Sequence, residues 1–302
     1  MSLSSLVRIS SQKELRGQKG LHPLLNAFVD VDQSAPQRDR DRLIYLDLPR
    51  GGLAIIEATM NSGRIVELFQ ATFHPAGLRE HLLVIWEASI NWARSQRAVA
   101  VQIIYLKQSG SGDVLAEMGF PTTTQILVLE KENCQGEIPE YPPDPSIRRA
   151  SVEQEWESLV RLLGLTLVKS LDMPESIVLR RPEDLLRSWI MGRTREETLI
   201  LVAESQGQMV GFVVATHAPD GAEDLGFEIH YLGVAEAHRR QGWAKRLLKE
   251  IFRTANDAGV EKFAVYVDER NLPAITLYER MGFREFEELR YPIVFQRLEQ
   301  TT

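Results

Sequence analysis

A short basic run that contains a glycine, Arg239-Arg240-Gln241-Gly242-Trp243-Ala244, has the residue types of an anion-binding turn. It opens a segment of helical periodicity, with apolar residues at Leu247, Leu248, Ile251, Phe252 and Ala255. The first N–H groups of a helix have no acceptor inside it, and the helix dipole adds positive charge there. Gly242 has no Cβ, so a ligand can approach its backbone closely. The run therefore predicts a phosphate-binding turn.

Three titratable residues flank this turn in the sequence. Glu228 and His230 are two residues apart at the start of a predicted strand, so both side chains face the same side. A carboxylate in a partly dry cleft has a raised pKa and can accept a proton. Tyr278 carries a phenol that can donate one, but it shares a helix face with apolar residues and also fits a core position. Glu228 and His230 equally fit a solvated strand end.

The elements that must position these residues run strand, loop, helix, strand, helix. The first strand covers Glu228 to Val234 and leads into the turn, and the second covers Phe263 to Val267. Gly259 is placed to end the intervening helix. Asn271 precedes the last helix and is suited to cap it.

This order of motifs resembles the GNAT superfamily of acyl-CoA-dependent N-acetyltransferases. The resemblance covers roughly Thr198 to Phe283. The residues that carry it are Arg239-x-x-Gly242-x-Ala244, Asn271, Ala274, Tyr278 and Gly282-Phe283. It implies an α/β fold with a mixed, twisted sheet flanked by helices. It also implies acetyl transfer from acetyl-CoA to a primary amine by direct attack in a ternary complex, without a metal.

The resemblance also implies roles for particular residues. Tyr278 stands at the position of the general acid, and Glu228 or His230 is the candidate base. Main-chain groups of the strand before the turn are expected to hold the pantetheine arm, and the turn to hold the pyrophosphate. Asn271 can cap the helix or contact the cofactor, and both readings stay open. The expected cofactor-binding residues are Leu232, Gly233, Val234, Arg239, Arg240, Gln241, Gly242, Trp243, Ala244 and Asn271.

The first half of the chain contains a partial repeat of this plan. Leu115 to Phe120 parallels Tyr278 to Phe283, with Leu115 in place of the tyrosine and Gln108 in place of Asn271. Gly77 corresponds to Gly242, but the loop before it is short. We therefore expect a degenerate GNAT-like domain at 1–132, a proline-rich linker at 133–145 and an acetyltransferase domain at 146–302. The alternative is an unrelated α/β domain that ends in a common Met-Gly-Phe turn.

Composition narrows the class of protein. The 302 residues carry a net charge of −7, and no Lys/Arg-rich block indicates a nucleic-acid partner. The single cysteine, Cys134, excludes an internal disulfide. No apolar run is long enough to span a membrane, so a cytoplasmic protein is expected. A non-catalytic acyl-CoA-binding module and a transferase of another acyl group remain alternatives. The sequence identifies neither the amine nor the oligomeric state.

Overall fold

A computed structural model describes residues 7–15, 42–48, 52–61, 63–74, 79–132, 142–190, 197–217, 226–257, 259–260 and 262–299. The chain divides into two compact units. One comprises Met1–Gln125 with Arg290–Thr302, and the other comprises Ile126–Leu289. Each contains a mixed sheet flanked by helices, as the sequence predicts.

The described strands and helices are numbered in chain order. The strands are β1 (Arg8–Ser10), β2 (Arg42–Leu48), β3 (Gly52–Met60), β4 (Ile65–His74), β5 (Ala100–Ile104), β6 (Thr124–Glu132), β7 (Ile147–Arg149), β8 (Thr198–Ser205), β9 (Gln208–His217), β10 (Gly226–Val234), β11 (Lys262–Asp268) and β12 (Arg284–Arg297). The helices are α1 (Gln12–Leu15), α2 (Arg79–Ser95), α3 (Ser111–Glu117), α4 (Val152–Leu167), α5 (Pro174–Ile177), α6 (Pro182–Ile190), α7 (Trp243–Asp257) and α8 (Leu272–Arg280).

The sheet of the first unit is mixed, with one parallel pair between antiparallel strands among the described pairings. β1 to β4 pair antiparallel in order, β4 pairs parallel with β5, and residues 293–297 of β12 pair antiparallel with β5. Helix α2 buries one face on this sheet. Its Trp86 is fully buried and donates to Ser111 Oγ at 3.0 Å, so it belongs to the core.

In the second unit the strands lie in the order β6, β11, β10, β9, β8, β7. Only the pairing of β10 with β11 is parallel. Helix α7 covers one face of this sheet and buries the whole apolar stripe that the sequence predicts, from Leu247 to Ala255. Helices α4 and α6 cover the other face, where they pack on residues of β8 and β9. The sheet is therefore buried on both faces, as expected when a crossover helix joins parallel strands.

The compact units differ from the predicted domain boundaries in two strands. Residues 126–132 of β6 pair with β11 and belong to the second unit, although the sequence places them in the first domain. Residues 290–302 belong to the first unit, where β12 pairs with β5. Strand pairing between distant segments is set by the sheet and leaves no local signal at a boundary. Most of the predicted linker, 133–141, lies outside the described residues, as do Gly77 and Cys134.

The internal repeat extends to individual hydrogen bonds. Phe120 N–H donates to Leu115 O at 2.8 Å, and Phe283 N–H donates to Tyr278 O at 3.0 Å. The glycine inside each turn is left-handed, with φ +84° at Gly119 and +89° at Gly282. This is the helix end that glycine allows at low cost. The two halves therefore share the same helix terminus, residue for residue.

A second shared feature lies within the sheets. In each unit one strand, β4 or β10, pairs parallel with one neighbour and antiparallel with the other. The parallel pairing ends just before the register of the antiparallel pairing shifts. The shift lies between Gln70 and Thr72 in the first unit and between Ile229 and Tyr231 in the second. Such bulges bend a strand locally and interrupt its pairing.

We predict that Gly119→Ala lowers the thermal unfolding midpoint, because the left-handed backbone costs a residue with a Cβ about 1 kcal/mol. No heavy atom lies within 4 Å of the added Cβ, so steric overlap does not contribute. Gly164→Ala is the matched control in the interior of α4, where the new Cβ meets Pro182 at an ordinary 3.7 Å. It should be neutral or slightly stabilising. Equal midpoints for the two variants in calorimetry would contradict the argument.

Candidate functional site

The site begins where β10 and β11 stop pairing. Their parallel register covers Gly226–Ile229 and Lys262–Val265 only. Beyond it, the register of β10 against β9 shifts at His230 and then continues through Val234. Residues 231–234 therefore keep their β9 partners, while the side that faces β11 opens into a cavity.

This cavity has a volume of about 520 Å³. Its wall combines β10, the turn before α7, the first turn of α7, β11, α8 and the segment after α4. Of the predicted site residues, the structure places these in the wall: His230, Leu232, Gly233, Val234, Arg239, Arg240, Gly242, Trp243, Ala244, Asn271 and Tyr278. Glu228 and Gln241 are not among the lining residues, and the Gln241 amide donates to Ala237 O at 3.2 Å. Most of the predicted site residues therefore line a single cavity.

The turn before α7 has the backbone expected of an anion site. Gly242 has φ +85°, and a Cβ built there would meet no heavy atom within 4 Å. Arg240 also has a positive φ, of 61°. Gly242, Trp243 and Ala244 line the cavity at the N-terminus of α7. An open space over a helix N-terminus suits a phosphate group.

Arg239 also has a structural role, the bonding of backbone carbonyls, that the sequence did not indicate. Its guanidinium donates to Val234 O at 3.0 Å and to Thr166 O and Val168 O at 2.9 and 2.7 Å. The last two carbonyls lie at the C-terminal end of α4, where a cation is favourable. Arg239 therefore joins the turn to α4 and contributes positive charge to the cavity wall.

Tyr278 is buried at the cavity wall. Its ring packs edge-on against Phe283 at a centroid distance of 5.4 Å. Burial raises the pKa of its phenol, and the nearby charges of Asp172 and Tyr231 raise it further. The phenol therefore keeps its proton throughout the neutral range.

His230 links Glu228 to the cavity. Its Nδ1 lies 3.1 Å from Glu228 Oε1, and its Nε2 lies 2.7 Å from Thr216 Oγ1. The prediction that both side chains share one side of β10 agrees with this contact. Protein atoms therefore engage both ring nitrogens of His230.

Two further residues have contacts that explain their types. Asn271 Oδ1 accepts the Ala274 N–H at 3.4 Å, so Asn271 caps α8 while it also lines the cavity. Gly233 lies against Tyr231, because a Cβ at Gly233 would come within 2.6 Å of the tyrosine ring. The Tyr231 hydroxyl bonds Thr166 Oγ1 at 2.8 Å, and burial raises its pKa to about 12.

Asp172 is the main residue that sequence reasoning missed. It lies between α4 and α5, lines the cavity and accepts the Asp268 N–H at 3.0 Å. Burial, followed by the charge of Asp268, raises the pKa of its carboxyl to about 6, although the Asp268 N–H and the charge of Arg270 act in the opposite direction. No motif marks it in the sequence, because the fold brings it to Asp268 from 96 residues away.

The cavity wall has an uneven charge distribution. Among its described lining residues Asp172 is the sole acid, whereas four are lysines or arginines, namely Lys169, Arg239, Arg240 and Lys245. A polyanionic ligand is therefore attracted to the cavity, and a cation has a single carboxylate to approach.

The family model described as "Acetyltransferase (GNAT) family" matches residues 165–283. This range contains the whole cavity wall. The matched segment of the second half is therefore similar to a GNAT acetyltransferase domain. The protein is therefore an acyltransferase, as the motifs in its turn and last helix predict.

Relatives and solved structures extend the likeness over both halves. A mycothiol acetyltransferase of an Arthrobacter species is 21% identical over 281 residues, which cover 90% of this chain and 80% of that one. A rat N-acetyltransferase family 8 member 2 is 37% identical over 87 residues, 28% of this chain and 38% of its own length.

Among solved structures, a tandem GNAT protein from the clavulanic acid biosynthesis pathway matches 98% of this chain and 100% of its own. The TM-score is 0.59 and the identity 14%. A GCN5-related N-acetyltransferase from Sphaerobacter thermophilus covers 92% and 88%, with TM-score 0.63 and 17% identity. The two-domain GNAT fold is therefore confirmed.

The described residues lack two further features, a membrane-spanning helix and a cluster of metal ligands. None of their helices combines the length and apolarity needed to cross a membrane. The same residues contain no group of three His, Cys, Asp or Glu side chains arranged to hold a metal ion.

We predict that Asp172→Asn gains stability over the wild type as the pH rises. The pKa of Asp172 in the folded protein, about 6, lies above its ordinary value of 3.8. The protonated carboxyl therefore adds its full contribution to the free energy of unfolding below about pH 4. It is lost as the pH rises through about 6, whereas asparagine does not titrate. Unfolding midpoints of both proteins between pH 4 and 7.5 test this. A constant difference would mean that the carboxyl is not perturbed.

Proposed function

We propose that the protein transfers an acetyl group from acetyl-CoA to a primary amine, by direct attack in a ternary complex formed in the second unit. The observation that supports this is the cavity between the diverging strands β10 and β11, which ends at the open, left-handed Gly242 before α7. Direct transfer needs the thioester held, its carbonyl polarised, the amine deprotonated and the thiolate protonated.

The residues of the cavity fit an acyl-CoA. Backbone N–H groups at the start of α7 and the arginines of the turn suit a pyrophosphate. The side of Leu232, Gly233 and Val234 that faces the cavity has no partner in β11 within the described register, so main-chain groups there are placed for the amides of a pantetheine arm. Trp243 and Ala244 complete the wall beside the turn.

Proton transfer is assigned to residues at the cavity wall. Tyr278 is the proton donor to the leaving thiolate, because its phenol is protonated at neutral pH and lines the cavity. For the base the sequence offers Glu228 or His230; of these two His230 lines the cavity, and its Nδ1 lies 3.1 Å from Glu228 Oε1.

In this proposal the first unit does not catalyse the reaction. Leu115 stands where the second unit has Tyr278, and it is fully buried. Gln70, on the strand equivalent to β10, reaches across to the segment after β5, where its Oε1 accepts the Leu106 N–H at 3.3 Å. The hydroxyls of Ser109 and Ser111 also donate to it, both at 3.0 Å. These bonds tie together the strand ends that diverge in the second unit.

A thiol-release assay with acetyl-CoA and a panel of primary amines tests the proposal directly. Amine-dependent release supports it. Binding of acetyl-CoA without release for any amine would favour an acyl-CoA-binding module, and release with other acyl-CoA donors alone would change the acyl group.

Gly242→Glu should abolish acetyl-CoA binding, because it places a carboxylate and added bulk in the anion site. The control is Gly242→Ala, whose Cβ meets nothing within 4 Å and adds only the backbone cost of about 1 kcal/mol. Titration calorimetry should show one site per chain in the wild type, weakened binding in the alanine variant and none in the glutamate variant. Unchanged affinity in the glutamate variant, or two equivalent sites in the wild type, would contradict the assignment.

Tyr278→Phe should lower kcat by roughly 10²–10⁴-fold, the usual scale of general acid catalysis. The ring stays, so its packing on Phe283 and the affinity for acetyl-CoA should change little. A loss of kcat with binding retained places the interaction in the transition state. A thioester with a better leaving group should restore part of the rate. Full activity, measured where chemistry limits turnover, would remove Tyr278 from the mechanism.

A further inference from the structure

The segment that carries Asp172 is held against β11 by a reciprocal pair of bonds. Asp172 Oδ1 accepts the Asp268 N–H at 3.0 Å, and the Met173 N–H donates to Asp268 Oδ2 at 3.1 Å. Met173 is left-handed, with φ 45° and ψ 55°, directly before Pro174. A non-glycine residue rarely adopts this conformation, and before proline it is costly. The surrounding bonds therefore fix Asp172 at the cavity wall.

The neighbouring positive charge, that of Arg270, pairs with carboxylates other than Asp172. Arg270 donates to Asp268 at 2.6 Å and makes two bonds to Glu175, at 2.6 and 3.0 Å. Within the part of the chain that the structure describes, Asp172 has no ion-pair partner and accepts only a backbone N–H. Arg270 acts on Asp172 only through its nearby charge, so the carboxylate has no direct ion pair and still attracts a cation.

Asp172 also lies close enough to the proposed acid to affect it. Its charge contributes to the raised pKa of both the Tyr278 and the Tyr231 phenols. By contrast, the ring nitrogens of His230 are engaged by Glu228 and Thr216, and Glu228 does not line the cavity. Of Glu228, His230 and Asp172, Asp172 is the one that lines the cavity with no side chain bonded to its titratable group within the described residues.

We propose that Asp172 receives the ammonium group of the acceptor and removes its proton, which assigns the acceptor to the class of amines that are cationic at neutral pH. This inference rests on the proposed acetyl transfer. The carboxylate takes one proton from R–NH₃⁺, and the free amine nitrogen forms a bond to the thioester carbonyl carbon. The C–S bond then breaks, and Tyr278 gives its proton to the thiolate. Tyr278 regains a proton from the nitrogen, and Asp172 releases its own to solvent.

The groups around Asp172 set its pH dependence. They are Asp268 and Arg270 from β11 and the residues after it, Tyr231 from β10, Tyr278 from α8, and Glu175 of α5 through Arg270. Burial favours the neutral carboxyl, but a carboxyl whose pKa is about 6 is mainly ionised at pH 7.5. The ionised form that binds an ammonium group is therefore present under ordinary assay conditions.

The test compares two acceptors of similar shape and different basicity, ethylamine and the far less basic 2,2,2-trifluoroethylamine. Asp172→Asn keeps an oxygen for the Asp268 N–H but loses the charge. Its thiol release with ethylamine at pH 7.5 should fall by roughly 10²–10⁴-fold. With trifluoroethylamine, which arrives neutral, the loss should be much smaller. Asp172→Glu should recover part of the rate. Asp184→Asn is the matched control, because Asp184 pairs with Arg181 and does not line the cavity.

The outcomes separate this inference from the proposed function. Acetyl-CoA affinity, measured by calorimetry, should be unchanged in Asp172→Asn. Equal losses with both amines, lost acetyl-CoA affinity, or a rate within about threefold of wild type with ethylamine would overturn the role of Asp172. If the wild type releases no thiol with ethylamine, with trifluoroethylamine or with any other amine of the panel, the proposed acetyl transfer is overturned. This inference is then overturned with it.

Discussion

The backbone pairing between β10 and β11 ends at Ile229 and Val265, and the site depends on that ending. A parallel pair that continued would have closed the sheet and satisfied the main-chain groups of Leu232 to Val234 within it. Instead the register shifts at His230, and a cavity occupies the space between the strands. The turn, the first turn of α7 and the Tyr278 helix are then placed around one opening.

Part of this site was predictable because its signals are local. The anion turn and the apolar stripe of α7 lie within about one helix length, and a period of 3.6 residues is legible in that window. The cap at Asn271 and the turn at Gly282 are likewise set by neighbouring residues. Local signals, and the family resemblance that they carry, therefore identified the elements and part of the cavity wall.

The rest depends on contacts between distant segments. Asp172 meets Asp268 across 96 residues, and Arg239 reaches Val168 O across 71. Sequence spacing carries no information on such pairs, so an isolated aspartate gave no sign of its role and Arg239 was read only as a phosphate ligand. The compact units to which β6 and the end of β12 belong likewise have no local signal in the sequence, because the sheet decides which strands pair.

The membership of the two units also constrains the order in which they can be completed during synthesis. All of the second unit, 126–289, is made before residues 293–297, which form a strand of the first unit's sheet. During synthesis the edge of β5 therefore has no β12 partner until residues 293–297 are made, whereas every residue of the second unit has been made by then. The N-to-C order usual for multidomain chains is thus not available to the complete sheet of the first unit. The nascent first unit would be the part of the molecule most exposed to mispairing, since an open strand edge can pair with another chain.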